Sequence, residues 1–325
     1  MIPVLACVLA LAACSNPSAT PSPTASATPT ASATPTATAS STVKVQDSLD
    51  GITVSGKRLK KPTVKVKTPF AIDKTRVKVL AKGDGYKAVA DGYVTVHYYG
   101  VNGRTGKSFD ESYSGGTPVT FSLAQVITGF TDGLTGQRAG SRVLIAMPGS
   151  DGYDAAGGSS DAGIEVGDTL IFVVDILAVS VNQPEGKQLT PPSGLPKVSG
   201  SAADKPTVTI PSGNPPSKMS TTVLIQGTGG KVAKSDAITA RYVGYSWKTG
   251  KLIDDGFATP TSGAVTGLIP GWQTGLVGKR VGSRVLLVLP PADGFPEGSN
   301  NPPVEAGDTV VYVVDILFSA ASTSG

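Results

Sequence analysis

In Tyr93-Val94-Thr95-Val96-His97-Tyr98-Tyr99-Gly100 apolar and polar side chains alternate, which predicts a strand with Val94, Val96 and Tyr98 on one face. Its last four residues are written again as Arg241-Tyr242-Val243-Gly244. The repetition runs outward in both directions. Lys61-Pro62-Thr63-Val64 returns as Lys205-Pro206-Thr207-Val208, and TGKSFD ending at Asp110 returns as TGKLID ending at Asp254. Ile127-Thr128-Gly129-Phe130 is answered by Ile269-Pro270-Gly271-Trp272. GSRVLIAMP (140–148) is answered by GSRVLLVLP (282–290), and GDTLIFVVDIL (167–177) by GDTVVYVVDIL (307–317). The offset falls from 144 to 142 to 140, so the small deletions lie between blocks. A period this long exceeds the roughly 20–50 residues of a solenoid unit and matches a whole domain. The chain therefore carries one fold twice.

Further strands are expected at 143–147 and 170–179, the latter apolar enough for a central strand. Gly100-Val101-Asn102-Gly103 and Gly115-Gly116-Thr117-Pro118 read as turns. One short helix is expected from about Ile127, with Phe130 and Leu134 on one face at i, i+4. Trp272 and Leu276 repeat that spacing, and Pro270 suits a first helical position. The fold class is α+β, each repeat an antiparallel twisted sheet wrapped around one short helix. Charged residues are only 16% of the chain and the net charge is +4, too little to suggest nucleic acid. The basic excess is local, from Val43 to Lys87, where TVKVKT and TRVKVL read as strands with a solvated basic face.

The first 14 residues, MIPVLACVLALAAC, are apolar but too short to span a bilayer. Leu11-Ala12-Ala13-Cys14 resembles a bacterial lipobox, which implies cleavage before Cys14 and a lipid on its thiol, although no Lys or Arg precedes it. The expected organisation is a lipoprotein signal peptide at 1–13, a disordered Ser/Thr/Ala/Pro tether at 14–42, domain one at 43–181, a linker at 182–198 and a divergent domain two at 199–325.

VHYYG, GKSFD, VITGF, a Tyr in a Gly-rich loop and LIFVVDIL, in that order, resemble the signature series of FKBP-type peptidyl-prolyl cis-trans isomerases, over about 75–180 and more loosely 220–319. The resemblance implies two tandem FKBP-like domains that turn Xaa-Pro bonds, a rotation that needs no nucleophile, metal or cofactor. It implies that Tyr98, Phe109, Phe121, Val126, Ile127, Phe130 and Phe172 line a proline cup, with Phe130 as its floor where the family usually has Trp. The Ile127 N–H and the Tyr153 hydroxyl would bind the substrate, and Asp110 matches the family's aspartate near the twisting bond. The second copy offers Tyr242, Ile253, Asp254, Leu268, Ile269, Trp272, Phe295 and Tyr312. There Ile253 stands for Phe109, Phe295 for Tyr153 and Tyr312 for Phe172, and no aromatic counterpart to Phe121 is evident near Val265. This copy is expected to turn over slowly.

The partners implied are proline-containing segments of exported proteins, with a membrane through the lipid anchor, in a monomer outside the cytoplasm. A non-catalytic, lipid-anchored chaperone or partner-binding protein would need the same cup. Two immunoglobulin-like sandwiches on a stalk would show about seven strands each and no helix. The single histidine, His97, is expected to be structural, because it lies on the face opposite Tyr98 and no nucleophile-elbow motif accompanies it. No Cys/His cluster has metal-ligand spacing.

Overall fold

Two antiparallel sheets of the same topology, each bent over one two-turn helix, account for the repetition. The computed structural model describes residues 43–321, so the signal peptide, Cys14 and the tether at 14–42 lie outside the described residues, as do residues 322–325. The described residues form one self-contained unit.

The first domain opens with an arm. β1 (Val45–Gln46) pairs with β4 (Ala71–Ile72), and β2 (Ile52–Ser55) forms a hairpin with β3 (Thr63–Val66). The sheet follows: β5 (Arg76–Ala81), β6 (Tyr93–Asn102), β7 (Ser108–Glu111), β8 (Val119–Ser122), α1 (Thr128–Leu134), β9 (Arg142–Met147) and β10 (Leu170–Val179). Its order is β5-β9-β10-β6-β7, with β8 also on β6. The second copy repeats this. β11 (Gly186–Gln188) comes first, then the arm hairpin β12 (Lys197–Ser199) and β13 (Thr207–Thr209). β14 (Ser220–Gly227), β15 (Asp236–Ser246), β16 (Leu252–Asp255), β17 (Thr261–Ala264), α2 (Pro270–Leu276) and β18 (Arg284–Leu289) lead to a short hairpin, β19 (Ser299–Asn300) with β20 (Pro303–Val304), and to the central β21 (Val310–Ala321). The order is β11-β14-β18-β21-β15-β16, with β17 on β15. Three residues from the segment expected as a linker, Gly186–Gln188, thus extend the second sheet at the edge left open in the first.

The arms explain why the central strands are apolar on both sides. Leu170, Phe172, Val174 and Ile176 pack with Phe130 and Leu134 of α1 on the concave face. Ile171 and Val173 pack with Leu49, Ile52, Phe70 and Ile72 of the arm on the convex face. The polar residues on the convex face form a cross-strand row, His97–Asp175–Arg142, answered by Arg241–Asp315–Arg284. Arg142 donates Nε and Nη2 to the two Asp175 oxygens at 2.8 and 2.7 Å, and further donates to the Gly56 and Lys60 carbonyls of the arm at 3.1 and 2.8 Å. Arg284 likewise reaches Asp315 and the carbonyls of Ser201, Ala202 and Asp204. A buried ion pair therefore ties each arm to its sheet.

One expectation needs refinement. Gly100, Val101 and Asn102 lie within β6, and the reversal falls beyond them, closed by Gly106 N–H to Asn102 O at 2.7 Å. The reason is packing: a Cβ on Gly100 would lie 2.7 Å from the Phe109 ring and 3.0 Å from Phe172, so the glycine admits aromatic rings rather than a turn. His97 is structural, its Nδ1 3.0 Å from Ser112 Oγ and its ring stacked on Tyr113 at 4.9 Å.

Candidate active site

Each helix lies close to its sheet because its glycines face the strand. A Cβ on Gly129 would meet Met147 at 2.4 Å and one on Gly133 would meet Ile145 at 2.7 Å. Gly271 and Gly275 stand in the same relation to Leu289 and Leu287. That approach buries Phe130, 3% exposed, between its helix and the sheet. Ile127 caps α1 with extended backbone and accepts from the Phe130 N–H at 2.9 Å. Its own N–H precedes the helical ladder and has no acceptor among the described residues.

The sequence-derived residues of the first copy converge. Phe130 lies 4.6 Å from Phe172 and 5.8 Å from Phe121, ring centre to ring centre, while Phe172 meets Phe109 edge-on at 5.4 Å and Tyr98 at 6.3 Å. Val126, Ile127 and Tyr153 pack half-buried against the same cluster. Tyr98 donates its hydroxyl to Asp110 Oδ2 at 2.6 Å, and Asp110 Oδ1 accepts from the Glu111 N–H at 2.8 Å. Burial and then the Asp110 carboxylate push the Tyr98 hydroxyl far above its ordinary range, so it stays protonated. The result is a half-open apolar cup with one carboxylate fixed at its wall.

The second copy assembles differently. Trp272 forms the floor, meeting Tyr242 edge-on at 5.0 Å and Tyr312 at 5.3 Å. Ile253, Leu268, Ile269 and Phe295 pack half-buried around them. Strand register identifies the lost wall. Phe121 pairs opposite Val94, and Gly263 pairs opposite the equivalent Ile238. A Cβ at Gly263 would find only Leu268, at 4.0 Å, so that side of the cup is open. Tyr312 brings a hydroxyl that Phe172 lacks and donates it to Asp254 Oδ2 at 3.1 Å. Burial holds the Asp254 carboxyl above the ordinary carboxylate range, against the pull of the Tyr312 and Tyr242 hydroxyls and the Asp255 N–H.

Sequence reasoning missed the spacing role of Gly100 and its counterpart Gly244, where a Cβ would lie 2.6 Å from Tyr312. The repeated glycine after each tyrosine was the available signal. It also missed that the arms brace the cup strands: Lys61 Nζ reaches Glu111 Oε1 at 3.2 Å, next to Asp110, and Lys205 pairs with Asp255, next to Asp254. Among the described residues no group of His, Cys, Asp and Glu comes together to hold a metal ion, and no helix is long and apolar enough to cross a membrane.

A cup of this make-up occurs twice, and the family model for FKBP-type peptidyl-prolyl cis-trans isomerase matches twice, at residues 85–177 and 229–317, more than half of the chain. The chain belongs to this family. It is a peptidyl-prolyl cis-trans isomerase with two FKBP domains in tandem. It is similar to an FK506-binding protein of Streptomyces anulatus, 41% identical over 105 residues, which span 32% of this chain and 84% of that one. A probable FK506-binding protein of Corynebacterium glutamicum is 32% identical over 117 residues, 35% of this chain and 98% of its own. A crystal structure of a peptidyl-prolyl cis-trans isomerase from Pseudomonas syringae aligns at 33% identity, over 33% of this chain and 76% of its own, with a TM-score of 0.30. Both arms lie outside the matched segments, whereas the sheet residues that hold them, Arg142 and Asp175 in one copy and Arg284 and Asp315 in the other, lie within.

Proposed function

We propose that the first domain carries most of the turnover, on proline-containing segments of exported proteins, and that the second holds such segments with little turnover of its own. The observation behind this is the difference in enclosure: Phe109, Phe121, Phe130 and Phe172 close the first cup, while Gly263 and Ile253 leave the second open. The barrier to rotation, about 18–20 kcal/mol, is amide resonance. Catalysis therefore requires a site that favours the twisted imide over the planar one. The cup grips the proline ring and strips water from the imide, the Ile127 N–H donates to the substrate carbonyl, and the Tyr153 hydroxyl offers a second hydrogen bond. Asp110, held by Tyr98, sets its carboxyl group beside the twisting bond.

The domains run from 43 to 181 and 199 to 325 in this reading, with 182–198 joining them and lending Gly186–Gln188 and the first residues of Lys197–Ser199 to the second. Leu11-Ala12-Ala13-Cys14 makes the chain an extracytoplasmic lipoprotein, with residues 14–42 as its tether. Xaa-Pro exchange measured by NMR on the whole chain tests the asymmetry. Uncatalysed exchange takes tens to hundreds of seconds, so modest catalysis is visible. Phe109→Ile with Tyr153→Phe should remove most turnover, and Trp272→Ala should remove little. The reverse ranking would assign the activity to the second domain.

A further inference from the structure

The two arms, compared position by position, separate what the hairpin needs from what it does not. Gly56 and Gly200 take the same positive φ, 106° and 110°, and the repeated Lys-Pro-Thr-Val fixes the register after them. Around these anchors the first arm carries Lys57, Arg58, Lys60, Lys65 and Lys67, where the second carries Ser201, Ala202, Asp204, Thr209 and Pro211. All five cations are exposed, and none is within ion-pair distance of a carboxylate among the described residues. The hairpin forms without them in the second copy, so folding does not require this charge. From Val43 to Lys87, twelve Lys and Arg stand against four Asp, while the whole chain has a net charge of only +4.

One of these cations, Arg58, joins Lys82 and Arg138 in lining a shallow cleft of about 650 Å³, with Gly83, Asp84 and Gly140. Arg58 Nη1 is held at its rim by the Gly140 carbonyl at 2.6 Å, and Arg138 Nη1 by the Gly85 carbonyl at 2.8 Å. Register places Ala202 and Gln226 at the positions of Arg58 and Lys82 in the second copy, which lacks the cationic cleft. One more feature selects the kind of anion. Leu59, 45% exposed, stands at the hairpin tip between Arg58 and Lys60, in left-handed backbone (φ 62°) held by its N–H to Asp175 at 2.6 Å. An exposed leucine flanked by cations suits the apolar boundary beneath lipid headgroups rather than a nucleic acid backbone.

We propose that this face of the first domain docks on an anionic phospholipid surface, with headgroup phosphates in the Arg58–Lys82–Arg138 cleft and Leu59 entering the headgroup boundary. The arm begins at Val43, directly after a segment whose first 14 residues are apolar, so the docking face follows that segment in the chain. The site requires neither the proline cup nor Cys14.

The test is cosedimentation of residues 43–325, which lack Cys14, with vesicles of phosphatidylglycerol and phosphatidylcholine, and with phosphatidylcholine alone. Binding should need phosphatidylglycerol and weaken on the order of tenfold in high salt. Arg58→Ala with Lys82→Gln installs residues the second copy already accommodates. It should lower the partition coefficient about fivefold per residue removed, with thermal unfolding and turnover of a soluble proline peptide unchanged. Leu59→Ala should weaken binding while leaving its salt dependence intact. Equal binding of the parent and the double variant, or equal binding to neutral vesicles, would overturn the proposal. Competition by duplex DNA as effective as that by phosphatidylglycerol would overturn the lipid assignment in favour of a general polyanion site.

Discussion

Phe130 carries the cup at the scale of single residues, since it touches both Phe121 and Phe172 while almost fully buried. Phe130→Ala should cost about 3–5 kcal/mol of stability in urea unfolding and abolish peptide binding. Phe130→Trp should retain both, because Trp272 occupies the same place on an equivalent helix. An alanine variant with normal exchange rates would put the ring outside the site. Asp254 gives a pH-dependent counterpart. Burial raises its folded-state value above the ordinary one near 3.9, so the folded second domain binds a proton more readily than the unfolded chain. Its stability therefore falls as pH rises through that window, and above it the ionised carboxylate is a fixed cost. Asp254→Asn keeps an acceptor for Tyr312 and should raise the second domain's melting temperature at neutral pH, with the gain vanishing below about pH 4. A lower melting temperature at pH 7 would mean that the hydrogen bonds to the carboxylate outweigh its desolvation.

Elements show where the sequence was readable and where it was not. The helix and central strands were legible because Phe130 and Leu134 share one helical face and Leu170–Val179 is apolar throughout. That these residues come together in each copy was legible because the blocks carrying them recur in the same order. The arms were only half legible: their alternation predicts strands, but nothing local shows that Ile52, Val54, Val64 and Val66 cover the convex face. Nor does local pattern show that Asp175 closes the contact, since its partners lie 33 residues away at Arg142 and 116 away at Leu59. Tyr113 adds its hydroxyl to Asp175 at 2.9 Å, whereas in the second copy Phe257 stands there and Arg241 lies over its ring at 4.2 Å. One anion is thus held by Arg and Tyr in one copy and by two Arg in the other. Asp175→Asn leaves the buried Arg142 guanidinium without its counter-charge and should cost about 3–5 kcal/mol. Hydrogen exchange should show the arm at 52–66 losing protection before the central strands. Asp315→Asn strands two guanidiniums and should cost more, so equal losses in the two domains would show that the second cation adds nothing.

At the scale of the whole molecule, the joint between the two domains centres on one residue that the duplication does not share. Tyr86 stands where the second copy has Gly230, and an aromatic opposed by a glycine in otherwise parallel sequences was the only signal for it. Its hydroxyl donates to the Glu185 carbonyl at 2.5 Å and accepts from the Thr228 N–H at 2.8 Å, so one atom binds both the connecting segment and the second domain. Its ring packs against both cores, and Gly282 makes room for it: a Cβ there would fall 2.3 Å from the hydroxyl. Around this joint the Val181 and Glu185 N–H groups donate to the Leu317 and Gly282 carbonyls, and Tyr93 stacks on Phe318 at 5.7 Å. These contacts fix the direction in which one cup faces relative to the other, which decides whether a single extended client can occupy both. Tyr86→Phe keeps the ring and removes the bridging hydroxyl, at a cost of about 1 kcal/mol for solvent-accessible bonds. Neither domain should unfold, but spin labels placed one on each domain should report a broader distance distribution. Peptides carrying two prolines should lose affinity, while single-proline peptides bind as before. An unchanged distance distribution would show that ring packing alone sets the orientation, and the hydroxyl would then be a consequence of the joint rather than its cause.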